Sequence, residues 1–123
     1  MRTVFAGDTP DFLLNIKDEN GTIIAADNTA LISNIIIVAY SQFDPKKILG
    51  RYALDITNYP DHTQLLVENG AVKLILSAEG TSNCVNEEVV AQIRTEFVDA
   101  TYPSGKKVLT AADVICKIIP YKE

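Results

Sequence analysis

His62 is the only imidazole in the chain, and Cys84 and Cys116 are its only thiols. Nucleophilic catalysis needs a hydroxyl or thiol beside a general base, with a third group to orient that base. His62 follows Pro60-Asp61 in a polar stretch, where a surface loop histidine is expected. Neither a Gly-x-Ser-x-Gly elbow nor a papain-like cysteine context accompanies it. Sixteen acidic residues provide Asp55, Asp61, Glu68, Glu79, Glu87 and Glu88 as a pool for a glycosidase pair, but at this density carboxylates are expected to be solvated surface. Asp18-Glu19-Asn20-Gly21 has the residue types of a calcium loop. Its glycine falls at the fourth position instead of the sixth, and position twelve of a loop starting at Glu19 is Ala30, so a hairpin turn is expected. One histidine and two distant cysteines do not make a zinc site. The glycines are scattered, without a phosphate-cradling loop. The expectation is a protein with no catalytic residues, no metal and no cofactor.

The elements that would position any such chemistry belong to one domain, spanning residues 1–123, because 123 residues match the usual size of a single core. Hydrophobic residues at 47% and charged residues at 22% are ordinary globular composition. A net charge of −5 leaves no excess of cations to neutralise phosphates or anionic lipid, which argues against nucleic-acid and membrane-surface binding. No apolar run near Met1 has the length of a signal peptide or membrane span, so a soluble product of cytosolic synthesis is expected. Cys84 and Cys116 are expected as two free buried thiols. A disulfide would require their Cα atoms within roughly 7 Å, which spacing alone does not decide.

Turn signals punctuate the chain at short intervals. Phe12, Leu14 and Ile16 alternate with Leu13, Asn15 and Lys17 as in a half-buried strand, and the Asp18–Gly21 turn reverses the chain into Thr22–Ala25. Leu31–Tyr40 is β-branched and apolar on both faces, which fits a central strand covered on both sides or one meeting a neighbouring subunit. Ile48, Tyr52, Leu54 and Ile56 share one face of another strand. Asn69-Gly70 between Gln64–Glu68 and Ala71–Ser77 predicts a type I′ hairpin. Residues 86–97 fit both a strand and a helix capped by Asn86; the turn chemistry of Tyr102-Pro103-Ser104-Gly105 after them favours a strand. Val114–Ile119 is predicted as the last strand. About seven to eight short strands with regular turns predict an all-β fold, an antiparallel Ig-like β-sandwich.

The order of these elements resembles a group of small β-sandwich proteins of tailed bacteriophages. The group includes N-terminal domains of baseplate upper proteins and Ig-like structural proteins of crAss-like phages. The resemblance rests on Phe12–Gly21, Ile32–Tyr40, Ile48–Ala53, Asn69–Ser77 with Thr81, Gln92–Phe97 and Val114–Ile119. It implies a non-enzymatic virion component, a capsid decoration or neck-collar ring protein. Its partners would be other virion structural proteins and copies of itself, and its location the virion after synthesis in the host cytoplasm. The alternative is a module that binds carbohydrate or a host surface, weakened by the lack of tryptophan. Residues 1–9 and 121–123 are candidate flexible arms, and Phe43, Tyr59, His62 and Tyr102 are candidate interface anchors in turn-rich segments.

Overall fold

A computed structural model describes residues 1–122. The elements are β1 (Arg2–Phe5), β2 (Asp11–Leu14), β3 (Ile16–Lys17), β4 (Ile23–Ile24), β5 (Ile32–Ser41), β6 (Ile48–Ala53), β7 (Thr63–Gln64), β8 (Leu66–Glu68), β9 (Ala71–Ile75), α1 (Ala78–Ser82), β10 (Glu88–Val98) and β11 (Lys106–Ile119). The fold is all-β. A six-stranded sheet has the order β1-β11-β10-β5-β6-β7, a three-stranded sheet the order β2-β9-β8, and β3 pairs with β4.

β5 occupies the middle of the large sheet because only an interior position buries so apolar a run, and β10 and β6 flank it antiparallel. Its Ile35, Ile37 and Ala39 enter the core with Val89 and Ala91 of β10 and Cys116 and Ile118 of β11. Phe12, Val72 and Leu74 of the small sheet meet them from the other layer. One core thus draws on residues from Val4 to Ile118. Tyr52 ties the layers together: its buried hydroxyl donates to the Ile75 carbonyl at 2.7 Å.

Several predicted turns form as their chemistry requires. Asn69 and Gly70 have φ of 52° and 78°, the two left-handed positions of a type I′ turn, between β8 and β9. Asp18 Oδ1 accepts from the N–H groups of Asn20 and Thr22, closing the β3–β4 hairpin. The Gly105 N–H donates to the Tyr102 carbonyl at 2.9 Å, closing the turn between β10 and β11. Residues 88–98 are strand, and Asn86 is no helix cap: it sits at φ 67° and donates its N–H to the Ile118 carbonyl.

Four expectations are corrected. The large sheet is mixed, because β1 pairs parallel with β11 and β7 pairs parallel with β6. The segment expected as a free N-terminal arm is a paired strand from Arg2 to Phe5. Val4 at 4% exposure anchors it in the core, which offsets the entropy of ordering the terminus. Ile48 and Tyr52 do not share a buried face: the register shifts between Ala39 and Tyr40, and Leu49 joins Tyr52 in the core instead. The last strand begins at Lys106 and not at Val114, because pairing along β10 overrides the low strand propensity of Ala111-Ala112-Asp113. At the other terminus Tyr121 and Lys122 are exposed and outside any strand, and Glu123 lies outside the described residues.

Candidate interaction surfaces

The predicted anchor residues do not form one patch. Phe43 is the most exposed large hydrophobic side chain, at 85%, on the loop between β5 and β6. That loop adjoins the start of β10, where Gln42 donates its backbone N–H to the Glu88 carbonyl. Tyr102 stands at the turn joining β10 to β11, at the opposite end of those strands, 42% exposed. Tyr59 and His62 lie between β6 and β7, their rings edge to face at 5.0 Å, both half-buried. The Nδ1 atom of His62 is buried with no hydrogen-bond partner, so this imidazole is packed into its loop and not presented from it.

The acidic residues divide among local duties. Asp55 accepts from both the N–H and the hydroxyl of Thr57, the latter at 2.6 Å, and these bonds hold its carboxyl below the usual carboxylate range. Asp99 does the same with Thr101. Glu87 pairs with Lys47 at 3.1 Å, a contact that raises the lysine pKa, and Glu68 lies 3.7 Å from Lys73. Glu79 sits in the first turn of α1 behind the Ser77 cap. Among the described residues, no three His, Cys, Asp or Glu side chains gather as a metal-binding group.

Cys84 and Cys116 are free and buried, as expected, and burial pushes both thiols up to about 11. At neutral pH about one molecule in ten thousand would carry a given thiolate, and neither sulfur is within reach of solvent. Both thiols are therefore expected to resist a maleimide or disulfide reagent for hours in the native protein and to react within minutes in denaturant. Fast labelling of the native chain would contradict this burial.

Two larger features remain open. The first is the face of the six-stranded sheet turned away from the small sheet. Register places Ile36, Val38 and Tyr40 of β5 beside Arg94, Gln92 and Val90 of β10, and those beside Thr110, Ala112 and Val114 of β11. Ile36 at 8% and Val90 at 7% exposure are nearly covered by their neighbours yet stand outside the hydrophobic core. Val38 and Tyr40 are half-exposed, and Val108 and Val114 are exposed. Arg51, opposite Val38, and Arg94 are exposed around this apolar strip.

The second is an edge. β1 pairs with β11 only from Cys116 to Ile119, so Lys106–Ile115 has a strand neighbour on one side alone. Inside this edge runs a groove of about 560 Å³ between β11 and the β2–β3 segment, with Leu13, Leu14, Ile93, Leu109 and Ala111 in its walls. The accessible surface of 7336 Å² exceeds by about 800 Å² the roughly 6,500 Å² typical of a compact monomer of this mass.

What the fold and these surfaces define is an all-β protein with a mixed six-stranded sheet and, among the described residues, an open sheet edge. Comparison with protein-family models, with characterised proteins and with solved structures finds no match.

Proposed function

We propose that this chain is a non-catalytic structural component of a bacteriophage virion, a capsid decoration or neck-collar ring protein that acts through contacts with its own copies and with other virion proteins. The observation that carries the assembly part of this reading is the apolar strip Ile36-Val38-Tyr40 at the centre of the sheet face turned away from the small sheet, continued by Val90 and Val114. Ile36 and Val90 are nearly covered within this face, while Val38, Tyr40 and Val114 keep partial exposure that a lattice or ring would bury against a neighbour. The exposed arginines at 51 and 94 give such a contact a polar rim. The virion part rests on the resemblance of the strand order to small phage β-sandwich proteins. The two-layer arrangement supports an Ig-like sandwich as the finer architecture, with the parallel pairings of β1 and β7 as departures from the antiparallel type.

Many copies of a modest interface would stabilise the particle, because each contact after the first forms within one assembly. Mass spectrometry of phage particles purified from the strain that produces the chain tests the reading. Recovery at about a dozen copies per particle is expected for a ring, and in the hundreds for a lattice. A chain found only in the soluble lysate, at trace level in the particles, overturns it.

A further inference from the structure

We propose that the open edge of β11 pairs antiparallel with the same edge of a second copy, about a two-fold axis at Thr110, joining two six-stranded sheets into one. This deepens the assembly reading by naming one of its contacts.

The backbone directions are set by the turn. The Asp99 N–H donates to the Gly105 carbonyl, so Asp99 and Gly105 form a hydrogen-bonded pair, and the alternation of an antiparallel ladder then fixes every pair beyond it. Leu109, Ala111 and Asp113 turn their backbone groups toward β10. Lys106, Val108, Thr110, Ala112 and Val114 turn theirs outward, where no strand among the described residues meets them. Natural edges are usually blunted by proline, by inward-pointing charge or by short length. This one carries its charges at its two ends, Lys106 and Lys107 on one side and Asp113 on the other, with none from Val108 to Ala112 and no proline.

A two-fold axis at Thr110 fits the edge in four respects. It sets Thr110 opposite Thr110, Val108 opposite Ala112 and Lys106 opposite Val114, so every outward backbone group from Lys106 to Val114 gains a partner. It sets Lys107 of each copy opposite Asp113 of the other, in the closer, non-hydrogen-bonded type of pair, giving an opposite-charge contact on each side of the axis. In this copy Lys107 already meets Glu19, so Asp113 would complete a three-membered acid-base-acid row. It also sets Leu109 opposite Ala111 on the groove face, a large side chain against a small one. Finally, the overlap ends where the fold ends it: Gly105, at the turn of one copy, falls opposite Ile115 of the other, one residue short of Cys116, where β1 begins to occupy the edge. A shift one way collides with β1, and a shift the other way leaves backbone groups unpaired.

The test uses the full chain in sedimentation equilibrium, with cross-linking as the readout of register. Wild type is expected to dimerise. Thr110→Lys, which brings two ammonium groups together at the axis while touching only an exposed side chain, is expected to raise the dimer dissociation constant at least about tenfold with the circular dichroism and unfolding midpoint of the dilute protein unchanged. An oxidised mixture of Lys107→Cys and Asp113→Cys chains is expected to yield a disulfide-linked heterodimer that neither variant alone gives. A monomer at millimolar concentration, a dimer indifferent to Thr110→Lys, or cross-linking without dependence on the 107–113 pairing overturns the proposal. A chain abundant in particles that fails this cross-link would sink the edge pairing and leave the assembly reading intact. A correct cross-link from a chain absent from particles would do the reverse.

Discussion

Gly50→Ala is expected to lower the unfolding free energy by about 3 kcal/mol, the upper end of what overpacking one methyl group costs. Gly50 and Tyr52 lie on the same face of β6, and the tyrosine ring folds back over the glycine. A Cβ at position 50 would stand 2.4 Å from the Tyr52 hydroxyl oxygen and 2.7 Å from the ring carbon that bears it. The ring has little freedom to retreat. It is 5% exposed, and its hydroxyl is held by the Ile75 carbonyl across the layers. Making room for the methyl group means tilting the ring out of the core, breaking that hydrogen bond and leaving a carbonyl unsatisfied. A double-mutant cycle checks the cause. With Tyr52→Leu in place, Gly50→Ala is expected to cost less than about 1 kcal/mol in urea unfolding, since the group it strikes has gone. Additive costs would show that something other than the ring confines Gly50.

This pairing of a strand glycine with an aromatic two residues on could be read from Gly50-Arg51-Tyr52, but which face it serves could not. Leu49, Gly50 and Tyr52 owe their orientation to a one-residue shift against β5, and a shift of one residue moves every side chain beyond it to the other face. Local chemistry was legible where it is self-contained: Asn69-Gly70, Asp18–Gly21 and Tyr102–Gly105 each set their own dihedrals and became the turns they predict. Placement within a sheet was legible only for β5, whose apolar run has no other good position. β1 and the first half of β11 were not legible, because Thr3-Val4-Phe5 favours a strand without showing which strand it meets, and Ala111-Ala112-Asp113 has low strand propensity until β10 offers it a ladder. α1 was missed although Ser77 caps it through the Gly80 N–H, since five residues containing a glycine carry too little helical pattern to outweigh a turn.

The same distinction applies to the surfaces. Aromatic residues in turn-rich segments are conspicuous in a sequence, and of the four named Phe43 and Tyr102 are exposed. Tyr59 and His62 have the same signature yet pack on one another. The open edge had no signature in residue types at all. It exists because β1 is short and covers β11 only from Cys116 onward, a property of how the termini meet. A feature defined by an unpaired backbone becomes visible only once the pairing is known.

Raising the pH from 9 to 12 is expected to lower stability in two overlapping windows. Burial holds the Tyr52 phenol at about 12 against an ordinary 10.0, so between those values the unfolded chain loses the proton and the folded chain keeps it. The folded state then binds more protons than the unfolded one, and stability falls with pH. The contribution is intact below pH 10 and is lost as the pH rises toward 12, amounting to about 3 kcal/mol for a shift of about two units. Cys84 and Cys116, raised by burial to about 11 from 9.0, act with the same sign one unit lower, between pH 9 and 11. All three groups act with the same sign, so their losses accumulate as the pH rises. Urea titrations at stepped pH separate them. Tyr52→Phe is expected to cost about 1–2 kcal/mol at pH 7, through the hydrogen bond it forfeits, yet to flatten the decline above pH 10. Cys84→Ala with Cys116→Ala is expected to flatten the earlier part and leave the later one. If the wild-type curve stays level to pH 12, or if Tyr52→Phe follows the wild-type slope there, then the Tyr52 hydroxyl reaches water in the folded protein and cannot be what binds the small sheet to the large one.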